Sequence, residues 1–194
     1  MAAKERSNTP NSAAGKPLLL VDIDGVISLF GTPGAGPSAL APVAPAAGAG
    51  GAISGSFHTI DGIPHFLSST AASHLLRLAG SFELVWASGW EEKANEYLPR
   101  LLGLPESLPF IAFSERTSVA ARTTHAHWKL DSVTAYVGQR PLAWVDDAFN
   151  PACHEWASAR GAPTLLVSTV PAQGLTAREA QTLLAWAQGV ARRR

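Results

Sequence analysis

The chain has 194 residues, enough for one domain with a sizeable core, and its 46% hydrophobic and 15% charged residues describe a globular chain rather than a disordered one. Fifteen basic residues balance fifteen acidic ones, so no global field steers the molecule toward nucleic acid or an anionic membrane. A single cysteine, Cys153, excludes an internal disulfide and a cysteine-based zinc cluster, and permits a reducing cytoplasm.

Met1 to Lys16 is polar and rich in small residues, without a continuous apolar run, and no later stretch has the length to span a bilayer. It reads as a disordered tail (residues 1–16) on a cytoplasmic protein, followed by a single domain over residues 17–190. Leu18 to Asp22 reads as a central strand, apolar on both faces as in a parallel sheet covered by helices. Gly31 to Gly51 is almost wholly Gly, Ala, Pro and Ser, too poor in large side chains to offset the entropy of ordering. Phe57 to Ile60 and Ile63 to Phe66 flank Asp61-Gly62, a hairpin signal, with Pro64 favouring an edge position. Residues 30–66 are therefore expected to be a flexible loop plus a small hairpin inserted near the active face, in place of a large cap.

Ser69 or Thr70 is the expected cap of a helix carrying Leu75, Leu76 and Leu78 and stopping at Gly80. Phe82 to Ala87 reads as a strand, Glu91 to Leu102 as a helix that Pro99 kinks or divides, and Phe110 to Phe113 as a short strand. Leu130, Val133 and Val137 lie at helical spacing before the strand Leu142 to Val145. Asn150-Pro151 opens a helix that ends at Gly161, Thr164 to Val167 is a further strand, and Thr176 to Glu179 is a capping box opening the last helix, whose Leu183, Leu184 and Val190 point inward. This alternation predicts an α/β domain: a doubly wound, Rossmann-like parallel sheet of about five strands with helices on both faces.

In such sheets ligands sit beyond the C-terminal strand ends, and three strands here end on chemistry-bearing residues. Asp22-Ile23-Asp24-Gly25-Val26 follows the first strand. Alternate residues of an extended chain point the same way, so Asp22 and Asp24 can converge on one point, while Gly25 lets the backbone turn and approach a ligand. Asp22 is placed to be a nucleophile or a magnesium ligand, and Asp24 to exchange a proton with a leaving group and then with water. Two adjacent anions call for a metal or a raised pKa. Asp146-Asp147 follows another strand and offers a further carboxylate.

Ser88-Gly89-Trp90-Glu91 fits a capping box, whose helix N-terminus would offer N–H groups and a positive dipole end to a phosphate, with Gly89 clearing the approach and the Ser88 hydroxyl adding a donor. Trp90 is either a packed aromatic or a surface on which a base or sugar stacks. Lys129 stands at a helix start, where a cation opposes the macrodipole; nearby carboxylates and phosphate would compensate it. His58, His65, His125 and His127 match no tight zinc spacing and read as surface or loop residues.

The order Asp22-x-Asp24-Gly25-Val26, strand-Ser88, Lys129, strand-Asp146-Asp147 resembles the four motifs of the haloacid dehalogenase (HAD) superfamily of phosphohydrolases, over roughly Pro17 to Ser168. Trp86 to Asn95, Trp128-Lys129-Leu130 and Ala143 to Asp147 also look like a bacterial subgroup related to phosphatase domains of RNA-repair (Swiss Army Knife) proteins. The resemblance implies that Asp22 forms an aspartyl phosphate, that Asp24 is general acid and then base, that Ser88 binds the transferring phosphoryl group and that Lys129 neutralises charge around it. It further implies Mg2+ held by Asp22, the Asp24 carbonyl and a carboxylate of Asp146-Asp147, Asp147 being favoured over Asp146. The presence of Asp24 favours phosphoryl over dehalogenase chemistry. The expected activity is Mg2+-dependent hydrolysis of a phosphomonoester on a small molecule or nucleotide, without a membrane or an obligate protein partner. Two other readings stand beside it: a phosphatase for polynucleotide ends, which the neutral net charge disfavours, and an idle module binding phosphate, metal or a protein, which the complete acid set disfavours.

Overall fold

The computed structural model describes residues 15–30, 53–113 and 128–193. The small-residue segment from Gly31, most of the N-terminal tail, His125 and His127 lie outside the described residues. Four strands form one parallel sheet: β1 (Leu18–Val21), β5 (Glu83–Trp86), β6 (Leu142–Asp146) and β7 (Thr164–Ser168), in the order β5-β1-β6-β7. A smaller antiparallel sheet, β2-β4-β3, joins β2 (Ser28–Leu29) to the hairpin of β3 (Gly55–Ile60) and β4 (Ile63–Ser68). The helices are α1 (Ser69–Leu78), α2 (Lys93–Leu102), α3 (Leu130–Val137), α4 (Pro151–Ala159) and α5 (Ala177–Ala191).

β1 is apolar at every position because both faces are covered. Leu19 and Val21 belong to one core with Leu75 and Leu78 of α1, Leu98 of α2 and Leu183 of α5. Leu18 and Leu20 belong to a second core on the opposite face with Val133 and Val137 of α3, Leu142 and Trp144. The alternation of a pleated strand thus divides four consecutive apolar residues between two cores. β1 also marks the reversal of strand order, with β5 on one side and β6 on the other, which is where a doubly wound sheet opens its ligand crevice.

Several local expectations are corrected. Phe110–Phe113 is not a strand: only Phe110 bridges β5, with Ile111 N–H donating to the Trp86 carbonyl at 2.9 Å. Pro109 precedes this contact and shortens the pairing by lacking an N–H. The cap of α1 is Ser68, whose Oγ accepts from Ala71 N–H at 3.1 Å, rather than Ser69 or Thr70. Pro64 lies in the middle strand of the small sheet, not at its edge. It is tolerated because the two-residue β2 reaches only Phe66 and Leu67, and Pro64 lies beyond its span. Pro99 sits within a continuous α2 and does not divide it. Asn150 caps α4 and Thr176-Glu179 forms the full capping box of α5, as their spacing predicts. No helix among the described residues is long and apolar enough to cross a membrane.

Candidate active site

The register of the sheet assembles the acids. Val21 pairs with Val145, so the next residues, Asp22 and Asp146, leave adjacent strand ends together, and Asp22 N–H donates to the Val145 carbonyl at 3.0 Å. Both share the parity of Leu18, Leu20, Leu142 and Trp144, the face covered by α3. Lys129, the residue at the N-terminus of α3, is thereby brought over both carboxylates. Its Nζ is 2.8 Å from Asp22 Oδ1 and 2.8 Å from Asp146 Oδ2. All three are buried, Asp146 completely. The adverse placement of a cation at a helix start is thus compensated by two anions.

Asp147 completes the cluster, since Asp22, Asp146 and Asp147 each offer a carboxylate oxygen and these lie within 4.8 Å of one another. The second Asp146 oxygen, Oδ1, accepts from Ala148 N–H at 3.0 Å. Asp147 instead faces Gly25: a Cβ built on Gly25 would lie 2.5 Å from both Cγ and Oδ2 of Asp147. With φ at +73°, Gly25 is required both by its backbone conformation and by the close approach of this carboxyl. Thr169 supports the turn through Oγ1 donating to the Gly25 carbonyl at 2.8 Å.

The electrostatics describe a site with excess negative charge. Burial pushes the Asp22 carboxyl up to about 7, Lys129 opposes the rise and Asp146 adds to it. Asp147 is pushed up to about 6 by burial and then by the charge of Asp146. Burial also weighs against the Lys129 ammonium, but Asp22 and Asp146 outweigh it and raise its pKa, so it stays charged. Three carboxylates against one ammonium leave a deficit that a hard divalent cation with oxygen ligands would fill. The donor set therefore fits magnesium, with Asp22 and Asp147 as the side chains that would hold it and Asp146 engaged by Lys129 and Ala148.

Asp24 diverges from this cluster. Its Oδ2 accepts from the indole Nε1–H of Trp90 at 3.0 Å, so its carboxylate is not among the grouped acids; its carbonyl is the atom the resemblance assigns to metal. The Trp90 ring meets His65 edge-on at 5.0 Å, and its polar edge holds Asp24.

Ser88 lies just beyond β5, buried, with its Oγ approached by Trp90 N–H at 3.5 Å. The expected capping box is not formed. α2 begins only at Lys93, and Glu91 does not fold back to Ser88: its Oε1 accepts from Phe113 N–H at 2.8 Å, at a backbone φ of +48°. Phosphate would thus meet a tight turn rather than a helix end. Gly89 is also less constrained than expected, because a Cβ there would make only ordinary contact with Trp128, 3.6 Å away. Trp128 in turn lies under Lys129 Nζ, 5.6 Å from its ring centre, and against Phe113.

His65 and Ser28, whose Nδ1 and Oγ share a hydrogen bond of 2.9 Å, join this neighbourhood without a sequence signal beyond their being polar. The hairpin that carries His65 is fastened at its tip, where Asp61 accepts from Tyr97 OH at 3.1 Å and pairs with Lys93, both on α2.

No curated protein and no solved structure matched the chain. A family model did, over residues 18–180, which spans β1, every acid of the site, Lys129 and the start of α5. With the parallel sheet, the site at its switch point and this match in agreement, the chain belongs to the family described as the HAD domain in Swiss Army Knife RNA repair proteins.

Proposed function

We propose that the protein is a Mg2+-dependent phosphomonoester hydrolase working through an aspartyl phosphate. The observation that carries this reading is the buried triad of Asp22, Lys129 and Asp146, in which one ammonium lies 2.8 Å from both carboxylates at the mouth of the sheet. Such a pair costs desolvation, and its placement at the C-terminal strand ends suits charge stabilisation during phosphoryl transfer.

In the first step an Asp22 oxygen attacks phosphorus, the bond from phosphorus to the leaving oxygen breaks, and Asp24 gives that oxygen its proton. In the second, Asp24 takes a proton from water, the water oxygen attacks phosphorus, and the bond to Asp22 breaks. Ser88 and Lys129 bind the transferring phosphoryl oxygens throughout. Asp22, the Asp24 carbonyl and Asp147 would hold magnesium, which would supply positive charge to the phosphoryl oxygens.

Substrates of two sizes suit the site. Between β2 and β3 the chain is too short for a large cap domain, so a polynucleotide end can enter as readily as a nucleotide or small metabolite. The family's description as RNA repair proteins favours the polynucleotide end, and the neutral net charge favours the smaller ester. We place the activity in the cytoplasm, where a chain with one cysteine needs no oxidising machinery. The deciding experiment is phosphate release with and without magnesium from mononucleotides, sugar phosphates and 3′- or 5′-phosphorylated oligonucleotides, with Asp22→Asn as control. Turnover lost in Asp22→Asn supports the hydrolase and its best ester names the substrate class. Magnesium binding without turnover across the panel would leave a binding module.

A further inference from the structure

We infer that Trp90 is a positioning residue for Asp24, and that His65 and Ser28 brace it; this rests on the phosphatase reading above. An indole Nε1–H is only a donor. The Asp24 oxygen it holds, Oδ2 at 3.0 Å, is therefore kept as an acceptor, and the opposite oxygen is the one left to face the leaving group. The single bond thus selects both the rotamer of Asp24 and the oxygen that does the chemistry.

The indole is itself braced through a chain of contacts that leads back to Asp24. Its ring abuts His65 edge-on at 5.0 Å with an interplanar angle of 72°. His65 Nδ1 shares a 2.9 Å hydrogen bond with Ser28 Oγ. The Ser28 backbone returns to the acid loop, where its carbonyl accepts from Gly25 N–H at 2.8 Å. Asp24, Trp90, His65 and Ser28 therefore close a circuit through four elements: the loop after β1, the turn after β5, the middle strand β4 and the outer strand β2. That turn is held in a conformation rare for a residue with a Cβ, since Glu91 has φ of +48° and its carboxylate is tied to Phe113 N–H. A strained, externally tied turn of this kind is expected where a side chain must be held in one place.

The test compares Trp90→Phe with the wild type on two esters. Phenylalanine keeps an aromatic ring on the His65 side and removes the donor. An alkyl phosphate needs its leaving oxygen protonated, whereas p-nitrophenyl phosphate does not. Trp90→Phe is expected to lower kcat/KM, which reports only the first step, by roughly tenfold to a hundredfold on the alkyl ester and by less than about threefold on the nitrophenyl ester. His65→Ala, which keeps the donor but loosens its support, is expected to move the same ratio by a smaller factor. An equal fall on both esters, or none, overturns the inference. A second readout needs no turnover: the Nε1–H signal of Trp90 in a proton–nitrogen NMR spectrum, identified by its loss in Trp90→Phe, shifts in Asp24→Ala if the bond exists, and an unmoved signal refutes it. Should the wild type hydrolyse no ester, the phosphatase reading fails, and this signal still decides whether Trp90 holds Asp24.

Discussion

Gly25→Ala isolates the contact that gives the site its shape. Two costs follow from the structure. The backbone at position 25 has φ of +73°, a region where a residue with a Cβ loses about 1–2 kcal/mol. The new methyl would also stand 2.5 Å from Asp147 Cγ and 2.8 Å from its Cβ, against an ordinary contact of at least 3.4 Å. Asp147 must retreat by about 1 Å, and overpacking of this size adds about 1–3 kcal/mol. The variant is expected to lose about 2–5 kcal/mol and about 5–20 °C in Tm, measured by thermal denaturation without metal. Displacement of the carboxyl is expected to weaken magnesium roughly tenfold to a hundredfold, read by calorimetric titration. In an Asp147→Gly background the clash is gone, so the cost of Gly25→Ala should shrink to the backbone part alone, about 1–2 kcal/mol. A folded Gly25→Ala protein with unchanged magnesium affinity would refute the placement of Asp147 as a ligand. An undiminished cost in the Asp147→Gly background would refute the clash.

Three further outcomes follow from burial and charge. Asp22 titrates near 7 in the folded protein against a usual 3.8, so between those values the unfolded chain ionises first and metal-free stability falls as pH rises. Asp22→Asn removes that penalty and should stabilise the metal-free protein by about 2–4 kcal/mol at pH 8, the difference vanishing near pH 4; denaturant melts at both pH values check it. Asp147, raised to about 6, is a competent ligand only when ionised. Asp22, raised to about 7, meets the same condition, so apparent magnesium affinity should hold above about pH 7, fall up to about tenfold per unit between about pH 7 and 6 and more steeply below about 6, as titrations at pH 7.5 and 5 would show. Ser68→Ala deletes the buried cap of α1, whose Oγ receives Ala71 N–H, and should cost about 1 kcal/mol in equilibrium unfolding.

What the sequence discloses is what local periodicity and strand-end position encode. The split of Leu18 to Val21 between two cores, the caps at Asn150 and Thr176, and the convergence of Asp22, Lys129 and Asp146 all follow from strand parity and β/α alternation. The failures at Glu91 and Asp24 share one cause, competition from partners distant in the chain. Ser88 to Glu91 has the spacing of a capping box, but Glu91 finds Phe113 N–H, 22 residues away, and the helix waits until Lys93. Phe110 has strand-like neighbours, yet the edge of β5 accepts only one bridge. Asp24 is two residues from Asp22 and the same strand parity predicts that they converge, but Trp90, 66 residues on, takes its Oδ2. The consequence is functional as well as structural. In the proposed reaction the two acids do different work, one attacking and one exchanging protons, and a strand that aimed both carboxylates at one point would give them one environment. Separating them requires a donor from outside the acid loop, and the turn after β5 brings one to Asp24 while Lys129 and the neighbouring acids surround Asp22.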